Sequence, residues 1–325
     1  MTGFEWSEPT TLEDAIAALA RPGALAKAGG VDVMDRLKER LDAPARLVSL
    51  RRLPGLDGVR EEGGELVLGP LLSLARLAED PLVRARLPAL ADTALRAATP
   101  NVRNQATLGG NVLQRPRCWY FRQEAFPCLR KGGDTCFAIQ GRNAYHAVLA
   151  NDVCAIVHPS DAATALVAYG ARAEIAGPGG RRTAPLEELF VLPDEDPTRE
   201  HRLAAGELLT ALRVPVPGAG VRSAYVKIGE RDSADWPLAS AAVALEPDGG
   251  TCRRASVVLG AAAPVPWRAR EAERTLVGRR VDAGAADDAA RAALARARPL
   301  SENGYRIPIL MAAVRRAIRS AAGIA

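Results

Sequence analysis

Apolar residues recur at helical spacing from Leu12 through Ile16 to Leu19, and again at Val33, Met34, Leu37 and Leu41, which predicts two helices. Thr11 precedes the first, with Asp14 three residues on at capping-box spacing, and Gly23 closes it. Short runs at Phe4–Trp6, Leu25–Ala28 and Arg46–Leu50 read as strands around them. The first 55 or so residues therefore predict β-α-β-α-β. Gly29-Gly30 falls between the second strand and second helix, where nucleotide-binding βαβ units take phosphate on backbone N–H groups.

The pattern restarts at a strand, Leu66–Gly69, followed by helices at Leu74–Glu79 and Pro88–Ala98 and a second small-residue turn at Thr107–Asn111. After a segment of different character, about 114–156, come a helix at Asp161–Ala171, a strand at Ala173–Ile175, an acidic loop at Pro193–Pro197 and a strand at Leu208–Val214. The main boundary is expected near Pro217, giving a region 1–216 (parts of about 1–57 and 58–216) and a region 217–325. The second holds strand candidates Ser223–Gly229, Ala239–Leu245 and Ala255–Ala261, then helices at Trp267–Val277, Ala285–Ala297 and Ile309–Ala321. The fold class is α+β, with a nucleotide-binding region followed by a smaller three-stranded sheet with helices.

Composition narrows the function. The 325 residues are enough for two or three domains with a real core. No apolar run approaches the ~18 residues of a membrane helix. The opening residues lack a basic stretch followed by an apolar one, so no secretory signal is expected. Four lysines (Lys27, Lys38, Lys131, Lys227) stand against 39 arginines, and the net charge is +5. The basic residues are scattered among acidic ones with no aromatic-interleaved stripe, which argues against nucleic acid.

Both glycine turns suit a pyrophosphate. Lys27-Ala28-Gly29-Gly30-Val31-Asp32 offers consecutive backbone N–H groups at a helix start, and Thr107-Leu108-Gly109-Gly110-Asn111 adds hydroxyl and amide groups. Gly-Gly is also an ordinary turn, and neither a Gly-x-Gly-x-x-Gly fingerprint nor a P-loop is present. Four of the five cysteines lie in one segment: Cys118, Cys128, Cys136 and Cys154. Four thiolates serve a cubane iron–sulfur cluster, one per iron. Zinc accepts four as well but usually through short Cys-x(2–4)-Cys knuckles, which are missing. Disulfides need an oxidising compartment, and inert burial is the plain alternative. His146 and His158 are expected to pack or hydrogen-bond, and Cys252 to be a core residue.

Asn101-Val102-Arg103-Asn104-Gln105-Ala106-Thr107-Leu108-Gly109-Gly110-Asn111 resembles the flavin-binding signature of the FAD-carrying medium subunits of the xanthine dehydrogenase family of molybdenum hydroxylases. Ala28–Asp32 resembles their first flavin loop, with Val31 where threonine is frequent. Tyr225–Arg231 followed by Asp235-Trp236-Pro237-Leu238 resembles the start of their C-terminal domain. Gln114–Arg122 and Asn143–Ala147 resemble the insertion that carries a [4Fe–4S] cluster in a subset of these subunits, those of periplasmic aldehyde oxidoreductase and 4-hydroxybenzoyl-CoA reductase.

The resemblance implies a vanillyl-alcohol-oxidase-like (PCMH-type) FAD-binding domain in two subdomains and a CO-dehydrogenase-flavoprotein-like C-terminal domain. Lys27, Ala28, Gly29, Gly30, Val31 and Asp32 would wrap the pyrophosphate. Thr107, Gly109, Gly110 and Asn111 would line the flavin or its diphosphate, Ser160 and Asp161 would meet the ribose or phosphate end, and Lys227 would lie near the isoalloxazine. Cys118, Cys128, Cys136 and Cys154 would ligate the cluster. No general acid or base is assigned. Molybdopterin is expected on a large partner subunit and two [2Fe–2S] clusters on a small one, with this chain passing electrons from FAD to an acceptor. The substrate class expected first is an aldehyde, then an aromatic CoA thioester or N-heterocycle. A cytoplasmic location is expected, or a periplasmic one by co-export with a partner. A stand-alone flavin oxidoreductase and a zinc-binding scaffold are the rivals from other classes.

Overall fold

The structure is a computed structural model and describes residues 3–231 and 234–324. Strands β1 (Glu5–Ser7), β2 (Ala24–Lys27) and β3 (Arg46–Ser49) form a parallel sheet in the order β1-β3-β2. Parallel neighbours need crossovers, and the helices Leu12–Leu19 and Val31–Lys38 supply them. Thr11 caps the first by accepting from the Asp14 N–H at 3.2 Å, as the spacing predicts. The β-α-β-α-β reading of this region holds.

A five-stranded antiparallel sheet follows in the order β4-β5-β8-β6-β7. It contains β4 (Val59–Glu62), β5 (Glu65–Leu68), β6 (Arg172–Gly177), β7 (Gly180–Pro185) and β8 (Leu208–Pro215). The edge strands β4 and β7 escape the sequence reading because they are exposed and charged, Val-Arg-Glu-Glu and Gly-Arg-Arg-Thr-Ala-Pro. Polar edges of this kind protect a sheet from further pairing and carry no apolar alternation. The helix Asp161–Ala168, buried at every position, packs with Leu66, Leu90, Leu108 and Leu212 in the largest core.

The third sheet is antiparallel, in the order β12-β11-β10-β9: β9 (Arg222–Ile228), β10 (Ala239–Asp248), β11 (Thr251–Gly260) and β12 (Trp267–Arg268). It has one strand more than expected. Pro264 and Pro266, which lack an N–H to donate, keep a helix from starting here; Trp267-Arg268 pairs with Val258 and Leu259, and the helix predicted from Trp267 begins at Arg270. Helices Arg270–Leu276 and Arg306–Ala322 cover this sheet and Ala283–Ala293 packs against both, around an alanine-rich core. Tyr225, Ala242 and Val258 of the same sheet reach into the first core. Among the described residues no helix is long and apolar enough to cross a membrane.

Candidate functional site

A cleft of about 1250 Å³ runs between the first sheet, the turn at 107–111 and the start of the third sheet. That exceeds the ~300–1,000 Å³ of pockets for compact ligands, so it has room for an elongated one. Ala28, Gly29, Gly30, Val31 and Asp32 line one wall, Thr107, Gly109, Gly110 and Asn111 another, with Asp161 and Lys227 nearby. Lys27 and Ser160 are not on its surface. The Lys27 ammonium lies over the Trp6 ring, 5.4 Å from its centroid.

The two glycine turns differ in what they can give. At the second, the N–H groups of residues 108–111 are already spent: Leu108 donates to Leu72 O, Gly109 to Pro70 O, Gly110 to Thr107 Oγ1 and Asn111 to Thr107 O. It therefore offers close approach and side chains rather than a nest of donors. At the first, the N–H groups of Gly29, Gly30, Val31 and Asp32 meet no acceptor among the described residues. They open the helix Val31–Lys38, whose dipole favours an anion. Gly30 has φ +88°, a left-handed conformation suited to glycine. Gly29 is fixed by packing, since a Cβ there would lie 1.9 Å from Gln105 O.

Ser160 is buried and caps the helix Asp161–Ala168, and its hydroxyl donates to Asn111 Oδ1 at 2.6 Å. Asp161 accepts from Tyr225 Oη at 2.7 Å and from Lys227 Nζ at 2.8 Å, and Lys227 also donates to Arg96 O at 3.1 Å. Two of the three ammonium donors are thus used, leaving one for an occupant of the cleft.

Cys118, Cys128, Cys136 and Cys154 come together around one small pocket, with Arg130 and His146 on its wall. Cys118, Cys128 and Cys136 each sit immediately before a single helical turn: Trp119–Arg122, Leu129–Lys131 and Phe137–Gln140. Backbone N–H groups of Tyr120 and Phe121 point at the first sulfur and those of Ala138 and Ile139 at the third. Burial pushes the Cys118 thiol up to about 11. A hydrogen bond from Cys154 brings Cys136 down to about 6 and raises Cys154 in return. His146 Nε2 is 3.2 Å from Cys118 Sγ, and burial followed by the Arg306 charge lowers its pKa to about 4, so the ring is neutral. His158 is buried too, as a packing role requires, and Cys252 lies in the third sheet's core, away from this pocket. Among the described residues no three His, Cys, Asp or Glu side chains gather tightly enough for a single metal ion. Tetrahedral zinc draws its sulfurs to about 2.3 Å from one point, whereas a cubane spreads them, one per iron.

Residues 2–217 match the family described as the FAD binding domain in molybdopterin dehydrogenase, and residues 224–321 the CO dehydrogenase flavoprotein C-terminal domain. The chain belongs to this family. It is 35% identical to the aldehyde oxidoreductase FAD-binding subunit PaoB of Escherichia coli K12 over 271 residues, 82% of this chain and 83% of that one. It is 31% identical to the carbon monoxide dehydrogenase medium chain of Afipia carboxidovorans, over 98% of this chain and 96% of that one. Among solved structures, carbon monoxide dehydrogenase from Hydrogenophaga pseudoflava aligns with a TM-score of 0.78 at 30% identity, over 98% of this chain and 97% of that one. Quinoline 2-oxidoreductase from Pseudomonas putida 86 aligns with a TM-score of 0.78 at 25% identity, over 99% and 98%.

The cleft of this FAD-binding oxidoreductase subunit fits the cofactor. Free N–H groups at Gly29–Asp32 suit a pyrophosphate, and the cleft's size suits a dinucleotide. The sequence reading missed the arginines that border it. Asp32 is held by Arg117 (2.9 Å), Arg122 (2.7 Å) and Arg36 (3.6 Å), and accepts from the Arg115 N–H at 3.2 Å. Burial pushes its carboxyl up, but the Arg117, Arg36 and Arg122 charges outweigh that and hold it below the usual aspartate range. The Asp32 carboxylate is therefore neutralised before any phosphate arrives. Three of these arginines flank Cys118 in sequence, the one signal that could have pointed to them.

Proposed function

We propose that this chain carries FAD in the cleft and a [4Fe–4S] cluster on Cys118, Cys128, Cys136 and Cys154. In this reading it passes electrons from [2Fe–2S] clusters on a small partner subunit to an external acceptor, while a large molybdopterin subunit oxidises the substrate, an aldehyde. The observation that carries it is the adjacency of the two pockets: Trp119 lines the cleft, and its chain neighbour Cys118 lines the cysteine pocket. FAD supplies a carrier that takes electrons singly and releases them in pairs.

The chain's own residues hold and orient. The Gly29–Asp32 N–H groups bind the pyrophosphate, with Val31 contributing only its backbone. Thr107, Gly109, Gly110 and Asn111 form the opposite wall, and Ser160 fixes the Asn111 amide. Asp161 steers Lys227 toward the cleft. Four thiols and the unpartnered, buried Arg130 Nη1 around one pocket fit a cluster of thiolate-bound irons. The 35% identity to PaoB supports an aldehyde; the likeness to quinoline 2-oxidoreductase supports an N-heterocycle as the second substrate class.

The test is anaerobic purification, identification of released flavin, counts of iron and sulfide, and low-temperature EPR after dithionite reduction. One FAD with four iron and four sulfide, and an EPR signal lost in Cys118→Ser, supports the proposal. FAD without iron leaves the flavin part standing and removes the cluster. A folded chain that takes up neither overturns both.

A further inference from the structure

Arg130 is an expensive residue to have where it is. Its side chain is 1% exposed, and burying a guanidinium is costly unless it is paired and hydrogen-bonded. Nε donates to Glu200 at 2.9 Å and Nη2 to Arg199 O at 2.8 Å. Nη1 is buried and has no acceptor. Arg130 lines the cysteine pocket, so Nη1 is the group it has left to offer there. The Glu200 charge is shared, because Arg115 Nε also lies 3.0 Å from it. The Arg115–Glu200–Arg130 set thus carries one net positive charge beside the pocket.

We propose that Arg130 is a positioning residue for the iron–sulfur cluster, donating from Nη1 to a cluster or cysteine sulfur and raising the cluster's reduction potential. This rests on the cluster reading above. Four thiolates bring negative charge into a closed pocket, and one-electron reduction adds more. No bond breaks and no proton moves in that step: one electron arrives from the flavin or a partner cluster. A fixed guanidinium favours the form with the additional electron, and net charge and hydrogen bonds to sulfur are the levers that set such potentials. Glu200 opposes the effect by offsetting the arginine's charge.

The experiment is potentiometric titration of the complete complex, followed by EPR, with iron and sulfide counted in each sample. Arg130→Gln is expected to lower the reduced-to-oxidised ratio at fixed potential at least tenfold, about 59 mV for one electron. Arg130→Lys is expected to recover part of this, and Glu200→Gln to shift the potential the opposite way. A purely structural Arg130–Glu200 pair predicts no such opposed signs. A cluster present in all samples with an unmoved potential overturns the role of Arg130 and leaves the cluster reading intact. If Arg130→Gln fails to retain iron, Glu200→Gln decides: an upward shift supports the proposal and none overturns it. A wild-type complex without iron overturns both readings.

Discussion

Arg122 Nη2 lies 2.7 Å from Asp32 Oδ1, tying the residue four positions after the first pocket cysteine to the helix that opens the flavin cleft. Asp32→Asn removes the anion that Arg117 and Arg122 share, while Arg122 keeps Glu39 and Arg36 keeps Asp42. Breaking a buried pair costs about 3–5 kcal/mol, and these surviving partners put the expected loss near the lower end. Thermal unfolding should show it, together with reduced FAD content. The Asp32 pKa is depressed, so its contribution is fully present above the usual value near 3.9 and is lost as pH falls through the lower folded value. The asparagine variant lacks that part of the acid limb, and equal acid limbs in both proteins would contradict the assignment.

Gly29→Ala places a Cβ 1.9 Å from Gln105 O, which pushes the first flavin loop away from the helix Pro100–Gln105. FAD affinity should fall at least tenfold, about 1.4 kcal/mol, with the circular dichroism spectrum little changed. Gly218→Ala, where a Cβ meets nothing within 4 Å, is the control and should bind FAD normally. Titration calorimetry on the flavin-free proteins measures both.

Much of this was readable from the chain because local rules and tertiary structure agree in the first 55 residues. Thr11, Gly23 and the apolar spacing each specify the element that forms. The two glycine turns looked alike in sequence, yet only tertiary contacts reveal that Pro70 and Leu72 consume the second turn's N–H groups. Arg115, Arg117 and Arg122 carry no role legible in the chain because their common partner, Asp32, lies more than 80 positions away. Arg130 was invisible for the same reason: its partner Glu200 is 70 positions on.

Cysteine substitutions separate the pocket from the core. Cys154→Ser removes a buried sulfur from the pocket and should abolish bound iron and its absorbance while leaving FAD in place. Cys252→Ala changes an equally buried sulfur whose thiol donates to Arg254 O at 3.2 Å in the third sheet. It should retain the full iron count and cost only the stability of a lost small side chain. Iron loss in both variants would mean that general destabilisation, rather than ligation, explains the first.

Acid should destabilise the protein through its histidines before it reaches most carboxylates. Burial lowers His146 and His201 to about 4 and His158 to about 3, against about 6.5 in the unfolded chain. Between these values the unfolded state binds protons that the folded state refuses. Stability is therefore greatest above pH 6.5 and falls as the pH drops toward 4. Each such histidine contributes a slope of at most about 1.4 kcal/mol per pH unit. His158, buried in edge contact with Phe190 at 4.7 Å between ring centroids, is lowered furthest of the three. His158→Gln should reduce the slope of unfolding free energy between pH 6 and 4 by about that amount. Urea unfolding at several pH values measures it, and an unchanged slope would mean that His158 already takes up its proton in the folded state.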